Sequence, residues 1–229
     1  MVTGMLSVRR SARLPALALA LLSGVASGFP LPAAEAASLT VTVLQRGGEP
    51  LPGAVITVHS LDGAAKRSAP VHAVMDQVDQ AFTPDLLVIP VGSTVSFPNS
   101  DTVRHEVYSF SPAHPFQLPL YSGKPYPPEH FDKVGLVTLG CNIHDFMLAY
   151  IVVTDASFYG RTDAAGVWSA SAVPPGRYRI EVWHPRLDGA ANPVREIEVS
   201  GSGVPVQIRL VERLRPAPLD ERLPSWDRY

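Results

Sequence analysis

There is one cysteine, Cys141, in 229 residues. An intramolecular disulfide is excluded, so no cystine framework holds this chain together. Charge of one sign is also lacking. Nineteen Lys and Arg face 21 Asp and Glu, and no basic run follows the N-terminal segment. The electrostatic footprint of a nucleic-acid-binding protein is therefore missing. No stretch keeps a helical apolar period for long. The one long apolar run lies near the N-terminus, where Arg9, Arg10 and Arg13 precede "LPALALALLSGVASGF" and Ala34-Glu35-Ala36 follows. That order is the order of a secretory signal, residues 1–36; the run is short and broken by Ser, Gly and Pro for a membrane span, and an uncleaved anchor is the alternative. The expectation is an exported, periplasmic chain with no stable membrane insertion once the signal is cleaved.

What is present is the grammar of sheets. Twenty-three prolines and 17 glycines punctuate short runs of Val, Ile, Leu, Thr and Tyr. "LTVTVL" places Leu39, Val41 and Val43 on one face, and "YRIEVW" does the same with Tyr178, Ile180 and Val182. "VPVQIRL" adds Val204, Val206, Ile208 and Leu210. Alternation of this kind means sheets with one buried and one wet face, hence an all-β sandwich architecture. The exported length exceeds one small sandwich and suits two.

The middle of the chain carries the chemistry. "DLLVIPVGSTVSFPNSD" reads as strand, turn, strand, with Val95 and Phe97 on one face. "VRHEVYSF" follows, and its parity aims His105 inward with Val103 and Val107. After a Pro-rich connection, "VGLVTLG" runs into Cys141-x-x-His144-x-x-Met147. In an oxidising compartment a lone cysteine is a free thiol, a cross-link or a ligand. A buried inert thiol and a core-filling methionine are the bland alternatives.

"VSFPNSDTVRHEV" together with "LGCNIHDFM" resembles the cupredoxins, the blue-copper sandwich proteins, over about residues 70–154. The two-residue gaps match the amicyanin-like spacing, and the wider phrase is similar to the methylamine utilization protein family. The resemblance implies a cupredoxin-like Greek-key sandwich holding one type 1 copper ion per chain. Its ligands would be His105 and His144 as imidazoles, Cys141 as thiolate and Met147 as a weak axial donor. Chemistry favours the same set, because soft sulfur suits Cu(I) while imidazole tolerates both oxidation states. Tetrahedral zinc is the competitor, but it has little use for a thioether. His114 is the alternative first ligand. Glu106 stands where many cupredoxins carry an Asn that ties the ligand loops, and Asn99 and Asp101 are candidates to replace that tie. The resemblance further implies an electron-transfer protein rather than an enzyme, docking a periplasmic redox partner near His144. Ile143, Phe146 and Tyr150 are candidates for the apolar patch there. The alternatives are a periplasmic copper carrier, a copper oxidoreductase, for which the scattered spare histidines show no second-centre spacing, and a copper-binding structural or interaction module.

The flanks look like two halves of a carboxypeptidase regulatory-like sandwich, "GGEPLPGAVITVHS" and "GRTDAAGVWSASAVPPGRYRIEVWHP". Neither half offers a nucleophile–base pair, and Asp163 reads as turn chemistry. The expected organisation is residues 37–62 with 155–211 as one discontinuous β-sandwich and 63–154 as the inserted cupredoxin domain. A sequential arrangement and one enlarged sandwich are the other options. Residues 212–229 are expected to form an extended tail.

Overall fold

The chain begins its ordered strands with β1 (Ala37–Leu44) and β2 (Val55–Ser60). The central stretch supplies β3 (His72–Val74), β4 (Asp76–Val78), β5 (Ala81–Thr83), β6 (Leu86–Pro90), β7 (Ser93–Ser96) and β8 (His105–Ser109). It continues through β9 (Phe116–Tyr121), β10 (Glu129–Phe131), β11 (Gly135–Cys141) and β12 (His144–Thr154). The last strands are β13 (Phe158–Arg161), β14 (Val167–Val173), β15 (Gly176–Trp183), β16 (Val194–Val199) and β17 (Gly203–Arg209). This is a computed structural model, and it describes Met1 and residues 37–123, 125–187 and 192–216. The expected signal, apart from Met1, lies outside the described residues. Among the described residues there is no helix, and so none long and apolar enough to cross a membrane. The fold is all-β.

Two apolar cores divide the strands. The first lies among the sheets β14-β1-β17 and β13-β2-β15-β16. Leu39, Val41 and Val43 are buried there, as are Tyr178, Ile180 and Val182, so the expected parity of both strands is what the chain adopts. Fully burying each large aliphatic side chain stabilises by about 1.5–3 kcal/mol. β1 is the middle strand of its sheet, antiparallel to β14 and parallel to β17. β2 is flanked by β13 and β15, with Val58 opposite Ile180 and Ile56 opposite Val182. Turn chemistry joins these strands. Asp163 Oδ1 accepts from the amides of Ala165 (2.9 Å) and Val167 (2.8 Å). Gly166 sits at φ +72, where a Cβ would lie 2.6 Å from the Val43 carbonyl oxygen. No other residue fits that turn without strain.

The second core lies among the sheets β6-β12-β11-β8-β9 and β10-β7-β3. β12 pairs antiparallel with β11 and parallel with β6. The segment leaving β2 and the one entering β13 are bound to each other. Ser68 N donates to Ala156 O (3.1 Å), Ser68 Oγ to Ser157 O (2.9 Å) and Ser157 Oγ to Ala65 O (3.2 Å). Asp155 also pairs with His59 and Arg67.

Three details differ from expectation. Val103 is 39% exposed rather than inward, because β8 begins only at His105 and residues 101–104 form its approach loop. Tyr150 packs its ring against Trp183 at 5.4 Å, on the face of β12 turned toward β15. At the start of the expected tail, Arg215 N donates to Arg186 O (2.8 Å) and Leu214 packs on the first core. Residues 217–229 lie outside the described residues.

A buried histidine beside this first core gives a pH prediction. Burial, helped by the charges of Arg186 and Arg161, pushes the His184 imidazole down to about 4, and a hydrogen bond to the Pro52 carbonyl opposes this only in part. The Arg186 amide donates to Nδ1 at 3.1 Å, which suits the neutral ring. Between pH 6.5 and 4 the unfolded chain binds a proton there and the folded chain does not. The stabilisation is therefore complete above pH 6.5 and is lost as pH falls toward 4, by about 2–3 kcal/mol at most. Denaturant unfolding across this range is expected to show that slope, and His184→Gln is expected to flatten it. An unchanged slope in the variant would rule His184 out as its source.

Candidate metal centre

Strand parity carries Cys141 inward. Val137, Leu139 and Cys141 alternate along β11 into the second core, all at most 2% exposed. Gly140 faces the other way and lies under the Tyr108 ring, where a Cβ would sit 2.8 Å from the phenol carbon. A side chain on the residue before the thiol would have to displace the Tyr108 ring. β11 turns into β12 through Asn142 and Ile143, which sets Cys141 directly opposite His144. The pairing resumes at Gly140–Leu148, so residues 145–147 bulge from the ladder. Such an irregularity re-aims side chains at a strand end.

His105 enters from the first residue of β8, opposite Tyr121 of β9, and is 0% exposed. Its Nδ1 lies 3.8 Å from Cys141 Sγ and 3.2 Å from His144 Nδ1. His144 Nδ1 lies 4.0 Å from the same sulfur. Among the described residues these three form the one cluster of His, Cys, Asp and Glu side chains that could share an ion. A triangle with these edges has its centre about 2.1 Å from every corner, which is the length of a metal–imidazole bond and close to a metal–thiolate one. The donor set fits a transition metal: two nitrogens and one sulfur, in near-trigonal disposition.

Met147 lies inward on β12, 2% exposed, in the same apolar core as Cys141. His144 is half-buried, its ring 5.6 Å from Phe146, and Ile143 beside it is 47% exposed. His114 stands apart from the cluster: its Nε2 pairs with Glu129 (3.2 Å) and its ring packs on Phe131 at 4.4 Å. His59 pairs with Asp155, and His72 bonds to Thr94 and Ser96.

Polar residues brace the His105 side. Asp101 Oδ2 lies 2.9 Å from His105 Nε2, and that hydrogen bond, with amides of Gln80 and Thr102, holds the carboxyl down at about 2. Asn99 Nδ2 donates to Tyr121 O (2.8 Å) and Val103 O (3.0 Å), fastening the loop that carries Asp101 to β9. Glu106 is buried and accepts from Gln117. Sequence reasoning missed Gln77 and Tyr121. Tyr121 Oη donates to Phe97 O (2.5 Å) and accepts from Gln77 Nε2 (2.6 Å), and burial pushes its phenol up to about 12. The available signal was a glutamine two residues after buried Met75, sharing its inward parity.

No protein-family model matches the chain, and no curated protein matches it. Among solved structures, a purple cupredoxin from Nitrosopumilus maritimus is 23% identical over 36% of this chain and 99% of its own, with a TM-score of 0.33. A copper-containing nitrite reductase from Thermus scotoductus SA-01 is 26% identical over 49% of this chain, which spans only 28% of that enzyme, with a TM-score of 0.35. A reduced Cu(I) amicyanin variant is 19% identical over 43% of this chain and 99% of its own, with a TM-score of 0.34. TM-scores this low leave the fold assignment to the strand pairing itself, which makes the chain all-β with two apolar cores.

Proposed function

We propose that this chain is an exported type 1 copper protein that carries single electrons in the periplasm, with one ion per chain. The observation that carries the reading is the convergence of Cys141 Sγ, His105 Nδ1 and His144 Nδ1 within 4.0 Å of one another. Copper held there would supply a one-electron couple, since thiolate favours Cu(I) and imidazole serves both states. His105 and Cys141, fully buried, keep water from the site. Met147 would supply a weak thioether donor to the same ion. His144 is the ligand nearest solvent, and Ile143 and Phe146 form the apolar surface on which a periplasmic redox protein docks. Small, quickly released interfaces suit such encounters. Tyr150, occupied by Trp183, is left out of that patch.

The same reading assigns residues 1–36 to a secretory signal and places the chain near the methylamine utilization proteins. It treats residues 37–62 with 155–211 as one discontinuous sandwich into which 63–154 is inserted. The β2–β15 ladder and the mutually bonded crossing segments support that division.

Voltammetry of the copper-loaded protein tests the function. A reversible one-electron wave with copper retained in both states is expected. Loss of copper to a Cu(I) chelator on reduction would favour a copper carrier instead. Met147→Leu is expected to raise the potential while colour remains, because losing a donor destabilises Cu(II) more than Cu(I). An unshifted potential would remove Met147 from the ligand set.

A further inference from the structure

A strained turn holds the carboxylate that pairs with His105. β4 and β5 pair Val78 with Ala81, so Asp79 and Gln80 alone close the hairpin. Both have positive φ, 51 and 58. A two-residue turn with both centres left-handed normally takes Asn-Gly or Asp-Gly, and a glutamine there is strained. Strain of this kind persists where the surroundings over-determine it, and it clusters at functional sites. What the turn does here is aim the Gln80 amide at Asp101 Oδ2, at 2.7 Å.

The hydrogen bonds around that carboxylate leave His105 no choice of tautomer. Oδ2 already accepts from Gln80 N–H, and Oδ1 accepts from Thr102 N–H at 2.7 Å. Backbone amides only donate, so both oxygens are acceptors. His105 Nε2, 2.9 Å from Oδ2, must therefore carry the proton. Its Nδ1 then holds the lone pair and faces Cys141 Sγ and His144 Nδ1. We propose that Asp101 is the positioning residue of the centre: held by the Asp79–Gln80 turn, it selects the Nε2–H tautomer of His105 and so keeps Nδ1 open for a metal. This rests on the proposed metal centre for its purpose, but its readout needs no metal. Outer partners of this kind fix ring orientation and tautomer at metal-binding histidines.

Two substitutions separate this role from simple packing. Asp101→Asn keeps the shape, but its amide has one acceptor oxygen for three donors. Its oxygen takes the place of Oδ2, accepting from Gln80 N–H and His105 Nε2–H and opposing only the Thr102 amide, whereas the flipped amide would oppose two donors, so this variant keeps the Nε2–H tautomer. Asp101→Ala removes the acceptor without adding a rival donor. Proton–nitrogen correlation NMR of the metal-free protein is expected to show His105 as Nε2–H in the native chain. It should stay Nε2–H in Asp101→Asn and lose that preference in Asp101→Ala, where the acceptor is gone. A packing role predicts no change of tautomer in either variant. Zinc affinity is expected to fall about 10–100-fold in the Ala variant. Gln80→Gly keeps the amide and relieves the left-handed strain, so its tautomer should match the native one. A native His105 protonated on Nδ1, or an Ala variant that keeps the native preference for Nε2–H, overturns the proposal. A protein that shows these tautomers yet takes up no copper would sink the copper reading and leave this one standing.

Discussion

Cys141→Ser is expected to abolish the intense visible absorption of the copper-loaded protein without unfolding it. The colour in question arises from thiolate-to-copper charge transfer, and a serine hydroxyl is neither ionised at neutral pH nor soft. Copper affinity should drop by more than the roughly 10–100-fold that loss of an outer partner produces. Cys141 is 2% exposed and similar in size to serine. The new hydroxyl faces two imidazole nitrogens. A buried hydroxyl with partners within reach costs about 1–2 kcal/mol at worst. Colour that survives the substitution would show that the thiolate is not a ligand. Loss of the cooperative unfolding transition would show that Cys141 is needed for packing instead.

The second large effect concerns residues 37–62. A fragment of residues 155–229 is expected to be unfolded, with no cooperative transition by circular dichroism. β1 is the strand that joins β14 to β17, and β2 joins β13 to β15. Without them both sheets lose their bridging strands. The first core also loses Leu39, Val41, Val43, Leu51, Ile56 and Val58, all at most 2% exposed. Six such side chains at about 1.5–3 kcal/mol each amount to on the order of 10 kcal/mol, comparable with the whole net stability of a domain. Thr162 adds a polar tie, accepting from Ala54 N (2.9 Å) and donating to Leu51 O (2.6 Å). A fragment 155–229 that folds cooperatively by itself would refute the discontinuous-sandwich proposal.

Strand parity was legible because a period of two is local. Leu39–Val41–Val43 and Tyr178–Ile180–Val182 could be assigned to one face from six residues each, and both rows are buried. The convergence at the centre was legible for a similar reason. Cys141 and His144 are close in sequence, and His105 was reached through the inward parity it shares with Val107. What stayed hidden depends on distant neighbours. Val103 continues the alternation on paper, but Asn99 binds its carbonyl and holds it in the loop before β8 begins. Tyr150 has the outward parity expected of a surface residue, yet Trp183, thirty-three positions on, covers it at 5.4 Å. Asp101 was only one of two candidate ties. Its partner Gln80 lies twenty-one residues away on a turn whose left-handed backbone no composition rule would assign to Asp-Gln.

The most direct measurement of the central claim is the combined visible and electron paramagnetic resonance spectrum of the full-length protein loaded with one equivalent of Cu(II). The proposed His105, Cys141, His144 and Met147 set predicts an intense charge-transfer band and an unusually small parallel hyperfine splitting. A colourless protein with ordinary copper hyperfine splitting, binding zinc with the same stoichiometry, would contradict it.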